Sequence, residues 1–367
     1  MADKKTEQEM MQGETYSFDA IRGIQATHEF YVAMCPLKII PKLFVFIDYD
    51  LPPELKAQRT LRESRIPAIK NYILNNPTDY IFSSLTASVD GDMNFFPAPS
   101  LRNDAKLGRL YVNMDSKLLI NDGQHRRKAI EEALKEKPEL GKEMISVVFF
   151  RDDGLKRSQQ MFSDLNKNAV KPTKSLNILY DHRDKFYRFI VSLTNTIDVF
   201  KNKVEMEKTT IGGKTPLAFT LNGIADASLK LLGLTKTKKI KKEDEETIIE
   251  FWQTVSKYMP EWKLLLNGDI QPYDLRKDFV NTNTNCLNAL GIAGYHLIKE
   301  FPNDWASKLR SLNNIDWSRK NPEWKGRLIS NKQMQRTHIG MDLTANIIMQ
   351  KCGLKLSPER QKIEDKF

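Results

Sequence analysis

The chain has 367 residues, 40% of them hydrophobic and 28% charged, and its 57 Lys+Arg against 47 Asp+Glu leave a net charge of +10. That length exceeds what one typical core uses, so an ordinary globular composition of this size predicts one large or two moderate domains. No apolar run approaches a membrane span, since 145-ISVVFF-150 is strand-sized, and the three scattered cysteines Cys35, Cys286 and Cys352 fit neither a disulfide framework nor a zinc site.

The amino terminus, MADKKTEQEMMQGE, is polar throughout and lacks the apolar core of a signal peptide. Residues 1–15 therefore read as a disordered arm, and the chain as cytoplasmic with no membrane contact. The cationic excess favours a polyanionic partner such as DNA or RNA, although basic proteins without one are common. From 16 to 153, strand-like runs occur at 39-IIPKLFVFI-47, 80-YIFSSLTASV-89, 110-LYVNM-114, 117-KLLI-120 and 145-ISVVFF-150. Helical patterns occur near 57–75 and at 123–135. This mixture predicts a compact domain of strands and helices. Asp115-Ser116 between two of the runs predicts a two-residue hairpin turn, though without the favoured Asn-Gly.

After Asp152-Asp153-Gly154 the apolar residues recur at helical spacing, as in Leu155, Met161, Phe162 and Leu165, then Phe186, Phe189, Ile190 and Leu193. Further helices are predicted over 216–233, 244–258, 284–301 and 340–352, the last with Asp342 as N-cap and a stop at Gly353. Residues 154–367 thus form a mainly helical region following the 16–153 domain, and the fold class is α+β. Three Leu/Ala/Gly helices within it share texture but no fixed period, so their small residues indicate close helix packing and not duplication. The segment 232-LGLTKTKKIKKEDEE-246 has a bland reading, a solvated loop entering a helix, and a sharper one, a phosphate-contacting loop.

The chemistry concentrates at 117-KLLINDGQHRRKAIEEAL-134. A strand ends in Asn121-Asp122-Gly123 and a helix starts with Gln124, His125, Arg126 and Arg127 crowded into a turn where the macrodipole favours anions. Gly123, Arg126, Ile130 and Ala133 share a stripe, while Lys128, Glu131 and Lys135 face the opposite side. An arginine on the core side of a helix mouth needs an anion. The first-turn N–H groups need an acceptor, and Gly123 permits close approach of a ligand. One reading is a phosphate cradle, with Asp122 as cap or as holder of a magnesium ion against the phosphate. In the other, Asp122 caps the helix and Arg126 pairs with a carboxylate.

Asp122-Gly123-Gln124-His125-Arg126 reproduces the DGQHR motif, which names proteins related to the ParB/sulfiredoxin fold. The resemblance continues through 161-MFSDLNKNAVKPTKSLNILYDHRD-184, 204-VEMEKTT-210, 315-IDWSRKNPEWKGRLISNKQMQRTHIGMDLTANIIM-349 and Leu356-Ser357-Pro358-Glu359. Together these segments resemble the DndB family of DNA phosphorothioation (dnd) systems across nearly the whole chain. The resemblance implies a ParB/sulfiredoxin-like DGQHR domain and a regulator that binds promoter DNA of the modification operon and represses it, with other dnd-system proteins as candidate partners; the sequence leaves the oligomeric state open. In relatives a similar Gly-x-x-Arg helix start holds nucleotide phosphates, and related DGQHR proteins are associated with ATP hydrolysis. That implies ATP or another NTP with magnesium, and gives no expectation of zinc, haem or iron–sulfur.

Two further blocks carry site candidates. Asp164, Asn166 and Asn168 end a helix before Pro172, and Asp181, His182, Arg183 and Asp184 begin another. Either Asp184 caps that helix while Asp181 pairs with Arg183, or Asn166, Asn168, Asp181 and Arg183 line one cleft with Arg126. Farther on, Arg319, Lys325, Arg327, Lys332, Arg336 and His338 gather among Trp317 and Trp324, which suits a nucleic-acid backbone or, alternatively, a core anchored by the tryptophans with a wet face. No helix-turn-helix is recognisable. The stretch 211-IGGKT-215 ends like a P-loop, but Lys208 stands where the upstream glycine belongs, so it is rejected. His125 and Asp122 are the only acid–base candidates at the helix start. Two functions from different classes follow: a DNA-binding regulator to which a nucleotide is a ligand, and an NTPase, with or without DNA nicking, that assists a modification enzyme.

Overall fold

A computed structural model of the chain describes residues 6–44, 63–98, 106–152, 160–161, 164–165, 172–237, 240–330, 333–334 and 337–367. The fold is α+β and divides into two compact units, Met1–Val170 and Lys171–Phe367.

The N-terminal unit is a seven-stranded sheet, numbered in chain order β1 (Thr15–Gln25), β2 (His28–Pro36), β3 (Leu85–Asp90), β4 (Met93–Pro97), β5 (Leu107–Asn113), β6 (Lys117–Asp122) and β7 (Met144–Arg151). The spatial order is β4-β5-β1-β2-β7-β3-β6, antiparallel throughout except for β7 against β3. Asp115-Ser116 does not make a hairpin, because β5 and β6 pair with different partners. Strands β3 and β4 form one bent strand and β5 and β6 another. They pair as a single ribbon, from Thr86↔Asp122 to Asp90↔Lys117 and on from Met93↔Val112 to Pro97↔Gly108. The turn at 113–116 is pinned to the bend opposite: the Ser116 hydroxyl donates to the Asp92 carbonyl at 3.3 Å and the Asn113 N–H to the same oxygen at 3.0 Å.

One half of the ribbon extends the sheet beyond β1 and the other beyond β7, so the sheet must curl round on itself. Tyr31 on β2 and Phe95 on β4 are three strand spacings apart, ~14 Å in a flat sheet, yet their ring centroids stack at 5.4 Å. The period-2 residues Phe18, Ala20, Tyr31, Ala33, Val147 and Phe149 fill the inside.

Strands β1 and β2 carry no turn signal in the sequence. Their hairpin closes through Ala26 and Thr27, both left-handed (φ 49° and 68°), where Asn-Gly would be usual. The expected strand at 39–47 is instead a helical turn, α2 (Ile40–Leu43), as far as the described residues reach. Ile40, Leu43 and Phe44 bury at helical spacing, and Pro41 has no N–H to give a ladder. The expected arm at 1–15 also contains α1 (Glu7–Gln12), held by a Thr6/Glu9 capping box and the buried Met10, and β1 begins at Thr15. Helices α3 (Ile66–Asn75) and α4 (Gln124–Glu136) add Ile73, Ile130 and Ala133 to this core.

The C-terminal unit contains α5 (Lys174–Tyr180), α6 (Lys185–Thr196), α7 (Leu221–Leu231), α8 (Lys242–Tyr258), α9 (Pro260–Asn267), α10 (Pro272–Asp278), α11 (Thr284–Glu300), α12 (Trp305–Lys308), α13 (His338–Lys351) and α14 (Pro358–Glu364). Helix α11 lies between α7 and α13. Gly291 permits the contact with α7, since a Cβ there would overlap the Ala227 carbonyl. Thr337, and not Asp342, caps α13, its hydroxyl accepting from Gly340 N–H at 3.0 Å. Gly353 ends it at φ 83°. All three cysteines are buried, and burial pushes the Cys35 and Cys352 thiols up to about 12.

Gly291→Ala should cost about 1–3 kcal/mol of stability, because α7 and α11 cannot separate without opening the core. A urea midpoint equal to that of wild type would contradict this close packing. Glu261, buried on α9, supplies a pH test. Burial raises its carboxyl above the usual range, partly opposed by the Asn281 amide, which donates at 2.7 Å. The folded chain therefore holds this proton more tightly than the unfolded chain. Its contribution is complete below the unfolded value near 4.5 and is lost as pH rises through the folded value. Glu261→Gln should gain stability over wild type progressively as pH rises from that range, read as the difference in urea midpoints, and a pH-independent difference would refute the assignment.

Candidate functional site

Strand β6 delivers Asp122 to the edge of the sheet, and α4 starts two residues later. Gly123 is the N-cap residue at φ 107°, ψ 13°, and no side chain caps the helix. This left-handed conformation, together with Leu85 Cδ2 where a Cβ would project, restricts the position to glycine. Asp122 is therefore not the cap.

Asp122 Oδ2 instead accepts from Arg126 Nη2 at 2.6 Å, an ion pair between successive turns. Arg126 Nη1 donates to the Ser83 carbonyl at 2.5 Å, to the Ser83 hydroxyl, and to the Ser84 carbonyl at 3.0 Å. The guanidinium thus joins the end of β6, the start of α4 and the segment entering β3. Its side chain is 15% exposed and that of Asp122 is 46% exposed, so the pair sits at a mouth open to solvent on the carboxylate side.

Arg127, which the helical-wheel reading did not single out, is the more buried of the two arginines. It pairs with Glu131 one turn on and donates from Nη2 to the Pro41 carbonyl at 2.9 Å. Its place on a stripe with Ile130 and Leu134, four residues before Glu131, is the sequence signal for that role. Lys128 bridges to Glu131 at 3.1 Å and Glu132 at 3.0 Å. The cations of the first turn consequently all have acidic partners. Gln124 and His125 are half-buried on the same turn.

The second block spans the boundary between the units, with Asp164 before it and Asp181, His182, Arg183 and Asp184 in the C-terminal unit. Asp184 caps α6, accepting from Phe186 N–H at 2.8 Å and Tyr187 N–H at 3.4 Å. Asp181 accepts from the backbone N–H groups of Arg183 and Asp184 at 3.0 and 3.1 Å, closing a turn through the backbone. Asn166 and Asn168 lie outside the described residues.

In the C-terminal block, Trp317 and Trp324 are fully buried and stacked, with centroids 5.5 Å apart, so they anchor the core. Arg319 donates to the carbonyls of Arg276 and Phe279 at 2.6 and 3.3 Å. Arg327 makes a two-pronged ion pair with Glu364 at 2.9 and 2.8 Å, fastening α14. Those two arginines are engaged inside the fold. Lys325 and His338 are exposed, and Lys332 and Arg336 lie outside the described residues. In the lysine-rich segment, Asp244 accepts from Lys241 N–H at 2.8 Å, and the acids open α8 as a solvated loop entering a helix would have them do.

A curled mixed sheet whose edge strand feeds an Asp-Gly-Gln-His-Arg helix start, followed by a separate helical unit, defines a two-unit α+β protein of DGQHR type. The chain belongs to the DndB family, described as DNA-sulfur modification-associated, which it matches over residues 18–355. No curated protein and no solved structure matches it. No helix among the described residues is long and apolar enough to cross a membrane.

Gly123→Ala should destabilise the N-terminal unit by about 1–3 kcal/mol through left-handed strain and overlap with Leu85. A thermal midpoint within about a degree of wild type would mean that the helix start is not built on this conformation.

Proposed function

We propose that this DndB-family chain is a DNA-binding regulator that represses the operon of a phosphorothioate-modification system, and that the Gly123 helix start takes the phosphates of ATP or another NTP. The observation that carries the nucleotide part is the Asp122–Arg126 pair at a helix start without a side-chain cap. First-turn N–H groups and a guanidinium converge there, and the carboxylate on the arginine is an anion that a phosphate can replace. Gly123 lacks the Cβ that would press on Leu85 and on the Arg126 guanidinium. The residues present suit a phosphate better than a metal held by protein alone. Asp122 is already engaged by Arg126, and no group of three His, Cys, Asp or Glu side chains placed to hold a metal occurs among the described residues. Magnesium would arrive with the phosphates, which supply most of its ligands in such sites. The net charge of +10 supports DNA as partner.

Asp122→Asn removes the competing carboxylate and should raise ATP affinity several-fold, while Arg126→Ala should lower it about tenfold or more, both read by anisotropy of a labelled nucleotide. Absence of any effect from either change would remove the phosphate site. Steady ATP turnover that Arg126→Ala abolishes would replace the regulator with the NTPase reading.

A further inference from the structure

The IGGKT stretch, which is not a P-loop, has a different structural role. Strands β8 (Val204–Glu205) and β9 (Phe219–Thr220) pair in parallel and fix both ends of the loop between them. Ser175 Oγ donates to the Lys208 carbonyl at 2.9 Å and steadies the near side. The outer turn is held from beneath by Arg276 in the last turn of α10. Its Nη1 donates to the Ile211 carbonyl at 3.3 Å and its Nη2 to the Gly213 carbonyl at 2.8 Å. No helix starts at Thr215, where the chain instead runs on to β9 before α7 begins at Leu221, so this is not a nucleotide-cradling strand–loop–helix.

Among the described residues no carboxylate lies within ion-pair distance of the cations at this loop. Arg126, Arg127, Arg327 and Arg360 each have a carboxylate within ion-pair distance. Among the described residues Arg276 and Arg319 donate only to backbone carbonyls and Lys214 has no ion pair. Asp278 acts on Arg319 only from beyond ion-pair reach. Burial without a counter-anion lowers the pKa of both arginines. A half-buried cation in this state is retained at a cost to stability unless an anion arrives.

Part of that cost is offset at Arg319, whose guanidinium serves the carbonyl end of α10, and at Arg276, which stands in the last turn of that helix. Neither Lys214 nor the open glycine turn is explained that way. Lys214 Nζ lies 5.7 Å and Arg276 Cζ 5.9 Å from the centroid of the Tyr273 ring, so the aromatic orients both cations. Gly212 and Gly213 have nothing within 4 Å of where a Cβ would stand. Gly212, Gly213, Lys214, Lys277 and Lys320 are all exposed. Cations presented along an open surface, with no enclosing walls, suit an extended polyanion better than a small phosphate.

We propose that the Gly212–Gly213 turn, Lys214 and Arg276, seated on Tyr273, contact the phosphodiester backbone of duplex DNA and do so without reading bases. The assignment rests on the DNA-binding reading above and locates one of its contact surfaces. The test uses the full chain and two fluorescent duplexes, one carrying the operon promoter and one of scrambled sequence, titrated between about 50 and 200 mM salt. Lys214 makes no hydrogen bond among the described residues, so its replacement should leave the thermal midpoint unchanged. Lys214→Ala should weaken both duplexes alike by roughly threefold to tenfold and reduce the slope of log K against log salt by about one. Lys214→Glu should exceed tenfold. Arg276→Lys, which keeps the charge but loses the fork onto two carbonyls, should fall between them.

Wild type that binds while Lys214→Glu keeps its affinity and slope overturns this surface and leaves the DNA-binding reading standing. Wild type that binds neither duplex overturns both. A loss confined to the promoter duplex indicates base readout and overturns backbone contact. Variants that retain DNA but lose ATP assign the loop to a nucleotide and overturn it as well.

Discussion

The N-terminal unit depends on the continuity of two bent strands. Residues 86–90 and 93–97 pair with 117–122 and 108–112 as one bent ribbon, but its two halves extend opposite ends of the same sheet. A chain that passes from β3 to β4 within two residues cannot span a flat seven-stranded sheet, so the sheet has to curl. Curling brings Phe18 over Phe149 and Tyr31 over Phe95, and a single core fills the inside. The pairing at the ribbon's base, Thr86 opposite Asp122, also sets the segment entering β3 beside the segment leaving β6. The DGQHR helix start stands at that place, where Arg126 can reach Ser83, Ser84 and Asp122 together.

The arginines of this chain illustrate how burial sorts charged groups. Where a guanidinium is enclosed with a carboxylate, as Arg327 is with Glu364, it fastens one element to another and its charge is answered within the fold. Arg360 combines both kinds of partner, donating to Asn346 at 2.8 Å and to His296 Nε2 at 3.2 Å with Asp342 at 3.6 Å. That environment holds His296 below its ordinary range, through burial first and Arg360 second. Among the described residues Arg276 and Arg319 donate hydrogen bonds only to carbonyls, whose partial charges satisfy donors without neutralising the cation. At the helix start the same logic resolves the crowding of cations against the macrodipole. Asp122 and Glu131 supply the negative charge that the helix end lacks.

Legibility differed by the range of the interaction concerned. The helices at 124–136, 242–258 and 284–300 fall within two residues of their expected bounds, because caps and apolar period are local properties. The hairpin β1–β2 was not legible, since Ala26 and Thr27 take left-handed conformations that neighbouring pairing enforces and their residue types do not request. Asp115-Ser116 misled for the converse reason. The local turn exists, but which strands pair across it is decided by partners far away in the chain. Trp317 and Trp324 could be read as surface or core from spacing alone, and the stack that buries them involves the turn at 316–324. Arg127 was overlooked because its acceptor, the Pro41 carbonyl, is 86 residues distant.

By itself the sequence determined the α+β class, the helix start at Gly123 and the family resemblance carried by Asp122-Gly123-Gln124-His125-Arg126, all of which depend on residue type and short spacing. Only the tertiary structure decided how those residues are used. It made Asp122 the partner of Arg126 and not a cap, committed Arg319 and Arg327 to contacts inside the fold, and left Arg276 and Lys214 without a carboxylate partner among the described residues. The physical reason is that a charged side chain's role is set by what lies within a few ångströms of it. For a chain folded through a bent ribbon and crossing helices, those neighbours come from distant parts of the sequence.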